Sequence, residues 1–227
     1  MKLHLKDKFN KMSKGSVLFG MAAALMAGSV SAGINGSVHD FTGKSWTYVD
    51  GNGQICVYCH TPHNAKTADA PLWNHAITSA TFTPYSSSTL DASVGQPDGV
   101  SKMCLSCHDG TVSLDSYGDL SINLGSTKIS GVFNLGTDLS NDHPVSFVYD
   151  TTLVNADKAL NDPSTAVTIG DPNGVTKDII IGGLLDSNNK LQCSTCHDVH
   201  NKFAILNMKL LRVTLNGSAL CLTCHAK

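Results

Sequence analysis

The sequence predicts one domain that is mostly coil, with short helical turns, a few short strands, and too little apolar side chain to fill a core of its own. Three observations lead there. Every acidic residue is Asp, with no Glu in the chain, and the abundance of Gly, Ser, Thr and Asn favours turns and short strands over helices. Aromatic residues make up only 6% of the 227, which is thin for a domain of this size. The eight cysteines fall into four identically built pairs, so the fold has an organising element other than its side chains.

The first segment is not part of that fold. Lys2, Lys6, Lys8, Lys11 and Lys14 precede an apolar run from Val17 to Met26, and Val30, Ser31 and Ala32 follow with small side chains. This is the pattern of a secretory signal peptide over 1–32, cleaved after Ala32. The run is too short to span a bilayer, nothing later is long and apolar enough, and no cysteine stands where a lipid anchor would need one. The mature chain, 33–227, is therefore expected to be exported and soluble. It keeps eleven basic residues against seventeen acidic ones, a formal charge of about −6, which argues against nucleic acid as a partner.

The cysteine pairs are Cys56-Val-Tyr-Cys59-His60, Cys104-Leu-Ser-Cys107-His108, Cys193-Ser-Thr-Cys196-His197 and Cys221-Leu-Thr-Cys224-His225. Each is followed at once by histidine, and no cysteine is left over. One helical turn places residues i, i+3 and i+4 on one face. This is the attachment pattern of c-type haem, in which two thiols form thioethers to the porphyrin and the adjacent histidine becomes an axial ligand of the iron. Zinc knuckles and disulfides are the competing readings, the second favoured by export. They do not explain the histidines, whose presence after all four pairs by chance has odds of roughly a few in a million. Four covalent haems are expected, and their macrocycles supply the missing apolar bulk. The fold class is then a multihaem c-type cytochrome wrapped around a haem stack.

Each iron needs a sixth ligand or an open position. Of six methionines, only Met103 and Met208 lie beyond the signal peptide. After the four motif histidines are used, His39, His63, His75, His143 and His200 remain as five distal candidates for four irons, and bis-histidine ligation with low potentials is the economical reading. His63 and His200 occupy the same slot, three residues after His60 and His197. His143 precedes Pro144, which biases it toward an extended backbone. His75 follows Trp73, a ring that packs well against porphyrin, and His39 has the weakest local argument. A residue three positions beyond a proximal histidine lies on that histidine's side of the iron. His63 and His200 must therefore serve other irons than those of His60 and His197.

Gaps of 43, 84 and 23 residues separate the motifs. Haem sites 1 and 2 are expected in 33–115, a strand- and turn-rich segment in 116–190, and sites 3 and 4 in 191–227. The middle segment has short β-branched runs such as "KDIIIGGLL" between Asp, Asn, Gly and Pro clusters. Helices are expected only as the single turns carrying the motifs and at "ALCLTCHA". No long repeat is visible beyond the motif itself.

"GQICVYCHTPHNA", "APLWNH", "CLSCHDGTVSLDSYG", "GTDLSNDHPVSF", "CSTCHDVHN" and "SALCLTCH" resemble, from His39 to His225, the doubled-CxxCH class of multihaem cytochromes and within it the tetrahaem outer-surface cytochromes of metal-respiring bacteria. The resemblance implies head-to-tail polymerisation into extracellular filaments, or nanowires, whose haems form a continuous chain of alternating parallel and T-shaped pairs. It also implies that a histidine just after the first motif completes a haem in the next subunit; here that is His63. On this reading the protein carries electrons from the cell surface to acceptors such as metal oxides, and is not an enzyme. A soluble monomeric shuttle, periplasmic or secreted, is the alternative. An oxyanion reductase would need an iron with an open position and basic groups to attract its substrate, and the surplus histidines and negative charge point away from it.

Overall fold

The computed structural model describes residues 33–47, 54–67, 71–118, 127–206 and 209–226. The expected signal peptide lies outside the described residues, and no helix within them is long and apolar enough to cross a membrane. The described residues are mostly turns and coil, with four α-helical segments and four short strands among them. Residues Ala32–Lys227 form one compact unit.

The helices exceed the expectation in two places. Helix α1, Gly99–His108, carries the second motif in its last two turns and buries Ser101, Met103 and Leu105. No glycine or proline interrupts the sequence from Val100 to Asp109, so the motif's turn extends backwards. Helix α2, Thr151–Asp157, was not expected, because Thr151, Thr152 and Val154 read as strand formers. Asp150 overrides them: its side chain accepts the Leu153 N–H at 2.9 Å, satisfying one orphan donor of the first turn. Lys158 then ends the helix in the left-handed region at φ 65°.

Of the β-branched middle segment, Phe147–Val148 (β1), Ala166–Gly170 (β2), Thr176–Ile180 (β3) and Lys190–Leu191 (β4) become strands. Strands β2 and β3 form an antiparallel hairpin, Ala166 opposite Ile180 and Gly170 opposite Thr176, while β1 pairs antiparallel with β4. The hairpin turn depends on Gly170, whose φ is +100° and where a Cβ would lie 2.1 Å from the Val175 carbonyl oxygen. Two further turns carry motifs: α3, Cys193–Cys196, and α4, Ala219–Cys224.

The apolar interior is split into three small clusters. One gathers Phe147, Tyr149, Leu153, Ile181 and Leu191, a second Phe82, Leu105 and Leu139, and a third Ile169, Leu184 and Val213. Each lies beside a motif-bearing element rather than at a common centre, as expected of a chain whose own side chains do not make one core.

A polar hub does what a larger core would do. Gln192 is fully buried. Its carbonyl oxygen accepts from the Ser101 N–H and hydroxyl and from the Ser146 hydroxyl, and its amide donates to Asp98 and Asp186. Ser101 in turn accepts the Cys193 N–H at 3.0 Å. The hub thus fastens α1, with the second motif, to α3, with the third. Gln192→Leu removes the acceptor of the buried Ser101 N–H and hydroxyl and of the buried Ser146 hydroxyl. It is expected to cost roughly 3 kcal/mol or more, read as a lowered thermal midpoint, whereas Asn188→Ala in the exposed turn nearby changes it little.

Candidate haem-attachment sites

Each CxxCH segment folds as a single turn. The His60, His197 and His225 N–H groups return to the carbonyls of Cys56, Cys193 and Cys221 at 2.8, 3.0 and 2.9 Å, and the second motif lies within α1. Both sulfurs and the imidazole therefore sit on one face of each turn. All eight cysteines are free. Burial raises Cys59 and Cys196 to about 11 and Cys107 to about 12, so these thiols stay protonated at neutral pH. Among the described residues no three His, Cys, Asp or Glu side chains converge as a metal cage.

Three motif histidines have their Nδ1 fixed by a distant carbonyl. His60 donates to Pro71 at 2.7 Å, His108 to Phe133 at 2.8 Å and His197 to Lys209 at 2.9 Å. A carbonyl only accepts, so Nδ1 carries the proton and Nε2 keeps its lone pair, the state an axial ligand requires. His143, a distal candidate, is held likewise by the Pro144 carbonyl. These carbonyls have no sequence signature. Two belong to segments that expose large apolar side chains, Leu72 and Phe133, beside the ring that each segment holds.

The imidazoles then meet in pairs. His60 faces His200 with ring centres 6.2 Å apart and planes within 16°. Rings in contact would lie about 4 Å apart, whereas an iron held at about 2 Å from each nitrogen, as imidazole holds zinc, fits the gap. His108 meets His39 at 6.2 Å, and His225 meets His143 at 6.5 Å, both edge to face. Edge-to-face rings reach such distances unaided. What distinguishes these pairs is that each joins a motif histidine to a distal candidate. The His39 Nδ1 is buried without a hydrogen-bond partner among the described residues, and burial, then the charges of His108 and His197, lower its pKa to about 4. A neutral ring with an unused nitrogen is what an iron would take.

His197 faces no second imidazole among the described residues. Two candidates remain. His63 is exposed and its ring meets no other histidine, while His75 is buried, with Nδ1 at 2.9 Å from the Ala76 carbonyl and Nε2 at 3.0 Å from that of Ser113.

The structure also corrects the expectation of no repeat beyond the motif. Asn74 and Arg212 donate to the carbonyls of Cys59 and Cys196, Thr61 and Asp198 to those of Leu72 and Leu210, and Lys66 and Ile205 to those of Trp73 and Leu211. His60 bridges to Trp73 as His197 bridges to Leu211. Asn64 and Asn201, and Leu72 and Leu210, share left-handed backbones. The loops after the first and third motifs are thus one design, differing by a residue or two in length, and the repeat is written in backbone hydrogen bonds that unlike side chains conceal. Each half of the chain has a distal candidate ahead of its first motif and further ones between its motifs: His39, then His63 and His75, in the first, and His143, then His200, in the second. In each half the first histidine meets the second motif's imidazole.

The second and third motifs lie side by side. The Cys104 thiol donates to the Cys193 sulfur, which lowers Cys193 to about 7 and holds Cys104 high.

Residues 187–227, covering the third and fourth motifs, match the family model described as the doubled CXXCH motif. No curated protein matches the chain. The match marks a feature of multihaem c-type cytochromes, which acquire haem outside the cytoplasm and typically transfer electrons. Its paired CXXCH motifs indicate covalently bound c-type haem in this protein.

Proposed function

We propose that this protein is a tetrahaem electron conduit whose copies join head to tail into an extracellular filament. When bound, haem c supplies a one-electron iron couple, and the chain supplies its ligands and spacing. Cys56, Cys59, Cys104, Cys107, Cys193, Cys196, Cys221 and Cys224 form the thioethers, with His60, His108, His197 and His225 proximal. His200, His39 and His143 serve the first, second and fourth sites. His60, His108, His197 and His143 would offer Nε2 to an iron, because backbone carbonyls occupy their Nδ1.

The observation that carries the assembly is the odd pair. His63 and His197 occupy the places in one half of the repeat that His200 and His60 occupy across it, and His200 and His60 face each other. The equivalent contact between His63 and His197 is not made within the chain, and a second copy supports it by bringing its own His63 to the third site. Such a contact uses two different surfaces, so it is head to tail and not a symmetric dimer, and it extends as an open polymer when the rotation between copies does not close a ring. Partners are then other copies of the chain, redox proteins at the cell surface, and external acceptors such as metal oxides.

The test is cryo-electron microscopy of native protein sheared from cells without detergent. Filaments with a continuous haem chain are expected. Discrete particles with fully low-spin spectra would overturn the polymer and leave a monomeric periplasmic or secreted shuttle.

A further inference from the structure

His75 is the distal candidate with no iron to serve. Its place in the fold is specific. It lies one residue beyond Asn74, which closes the first loop, and the corresponding residue of the second loop is Val213, one beyond Arg212. An imidazole is therefore no requirement of the repeat. The difference is that the chain after Asn74 crosses the end of α1: Ala76 donates to the Ser116 carbonyl, Thr78 N–H to the Ser106 hydroxyl, and the Thr78 hydroxyl to Asp109. His75 is enclosed there, its ring between the Ala76 and Ser113 carbonyls and its nitrogens 3.7 and 4.0 Å from the Cys107 sulfur. Trp73 closes the other side, with ring centres 6.5 Å apart.

The geometry points to His75 as a positioning residue for the second attachment site: it walls in the Cys107 sulfur and holds the Ser113 loop against α1, so that Cys107 is aimed at its vinyl group. The proposal rests on haem attachment at the second motif. A thioether adds the thiol across a vinyl double bond: sulfur bonds one vinyl carbon, the thiol hydrogen goes to the other, and no oxidant or reductant is consumed. Such an addition needs the sulfur in one place. A ring whose one N–H holds the Ser113 carbonyl and which packs beside Trp73 keeps it there, and the shorter branched side chain of leucine would let Cys107 rotate.

The test is His75→Leu, expressed with haem and digested for mass spectrometry after alkylation of free thiols. Cys107 is expected to become alkylated in most chains while Cys104 and the other six cysteines stay blocked, with haem content and low-spin spectra as in the parent. Fully blocked Cys107 would overturn the proposal, and so would one more high-spin haem than the parent shows in the same assembly state, which would make His75 an axial ligand. His75→Gln keeps a donor for the Ser113 carbonyl and is expected to restore the Cys107 bond; if the leucine variant does not accumulate, one more high-spin haem than the parent or a free Cys107 in the glutamine variant overturns the proposal by itself. Fewer than four haems in the parent protein would instead refute the tetrahaem reading.

Discussion

His63→Ala is expected to abolish filaments while leaving haem content and the spectrum of the isolated chain unchanged. His63 is exposed, meets no imidazole among the described residues, and its backbone is held locally by Thr61, so truncation to alanine is expected to remove no internal ligand. What it removes is the group that would close the third site of the next copy. The two ends of a chain then become unequal. A His63→Ala chain still offers its own His197 to an incoming wild-type His63, but it has nothing to give in return. Mixed with wild-type protein, it is therefore expected to stop growth from one end, shortening filaments in proportion to its fraction. Lengths measured by electron microscopy across a mixing series check this. Filaments of normal length from pure His63→Ala protein would show that another contact builds the polymer.

The split between what the sequence reveals and what it hides follows from chain separation. The motifs are local, four residues of one turn, and their chemistry is readable from spacing. The five distal histidines are also readable, because few other ligands remain. Their partners are not. His60 and His200 are far apart in the chain, and their rings meet through contacts between the halves, among them the Gln192 hub and the Asn201 amide donating to the Gly33 carbonyl. A glutamine beside a cysteine motif looks like any solvent-facing polar residue, and only its burial with five side-chain hydrogen bonds reveals its role. Helix α2 was hidden for a local reason: β-branched residues suggested a strand, and the Asp150 cap outweighed them. The repeat was hidden because backbone hydrogen bonds, including those from His60 to Pro71 and His197 to Lys209, accept unlike side chains.

His200→Ala tests the pairing itself and separates the equivalent slots. His200 and His63 each follow a motif by three residues, so a reading from spacing alone assigns them the same consequence. The structure does not. The His200 ring stands opposite that of His60 at the distance a shared iron would occupy, and its own turn is braced by Asp198, which accepts from the N–H groups of His200, Lys202 and Phe203. That brace survives the substitution, so the effect is confined to the missing ligand. One haem in four is expected to turn high-spin, in isolated chains as well as in filaments, and its potential to rise as a strong axial donor is lost. His39→Ala and His143→Ala are each expected to convert one haem in the same way. The combination of His200→Ala with His39→Ala should convert two, because the pairs share no ring. Electron paramagnetic resonance of oxidised isolated chains counts the converted haems. An unchanged spectrum for His200→Ala would break the link between ring pairing and ligation, and with it the argument that the unmatched His63 and His197 belong to neighbouring copies.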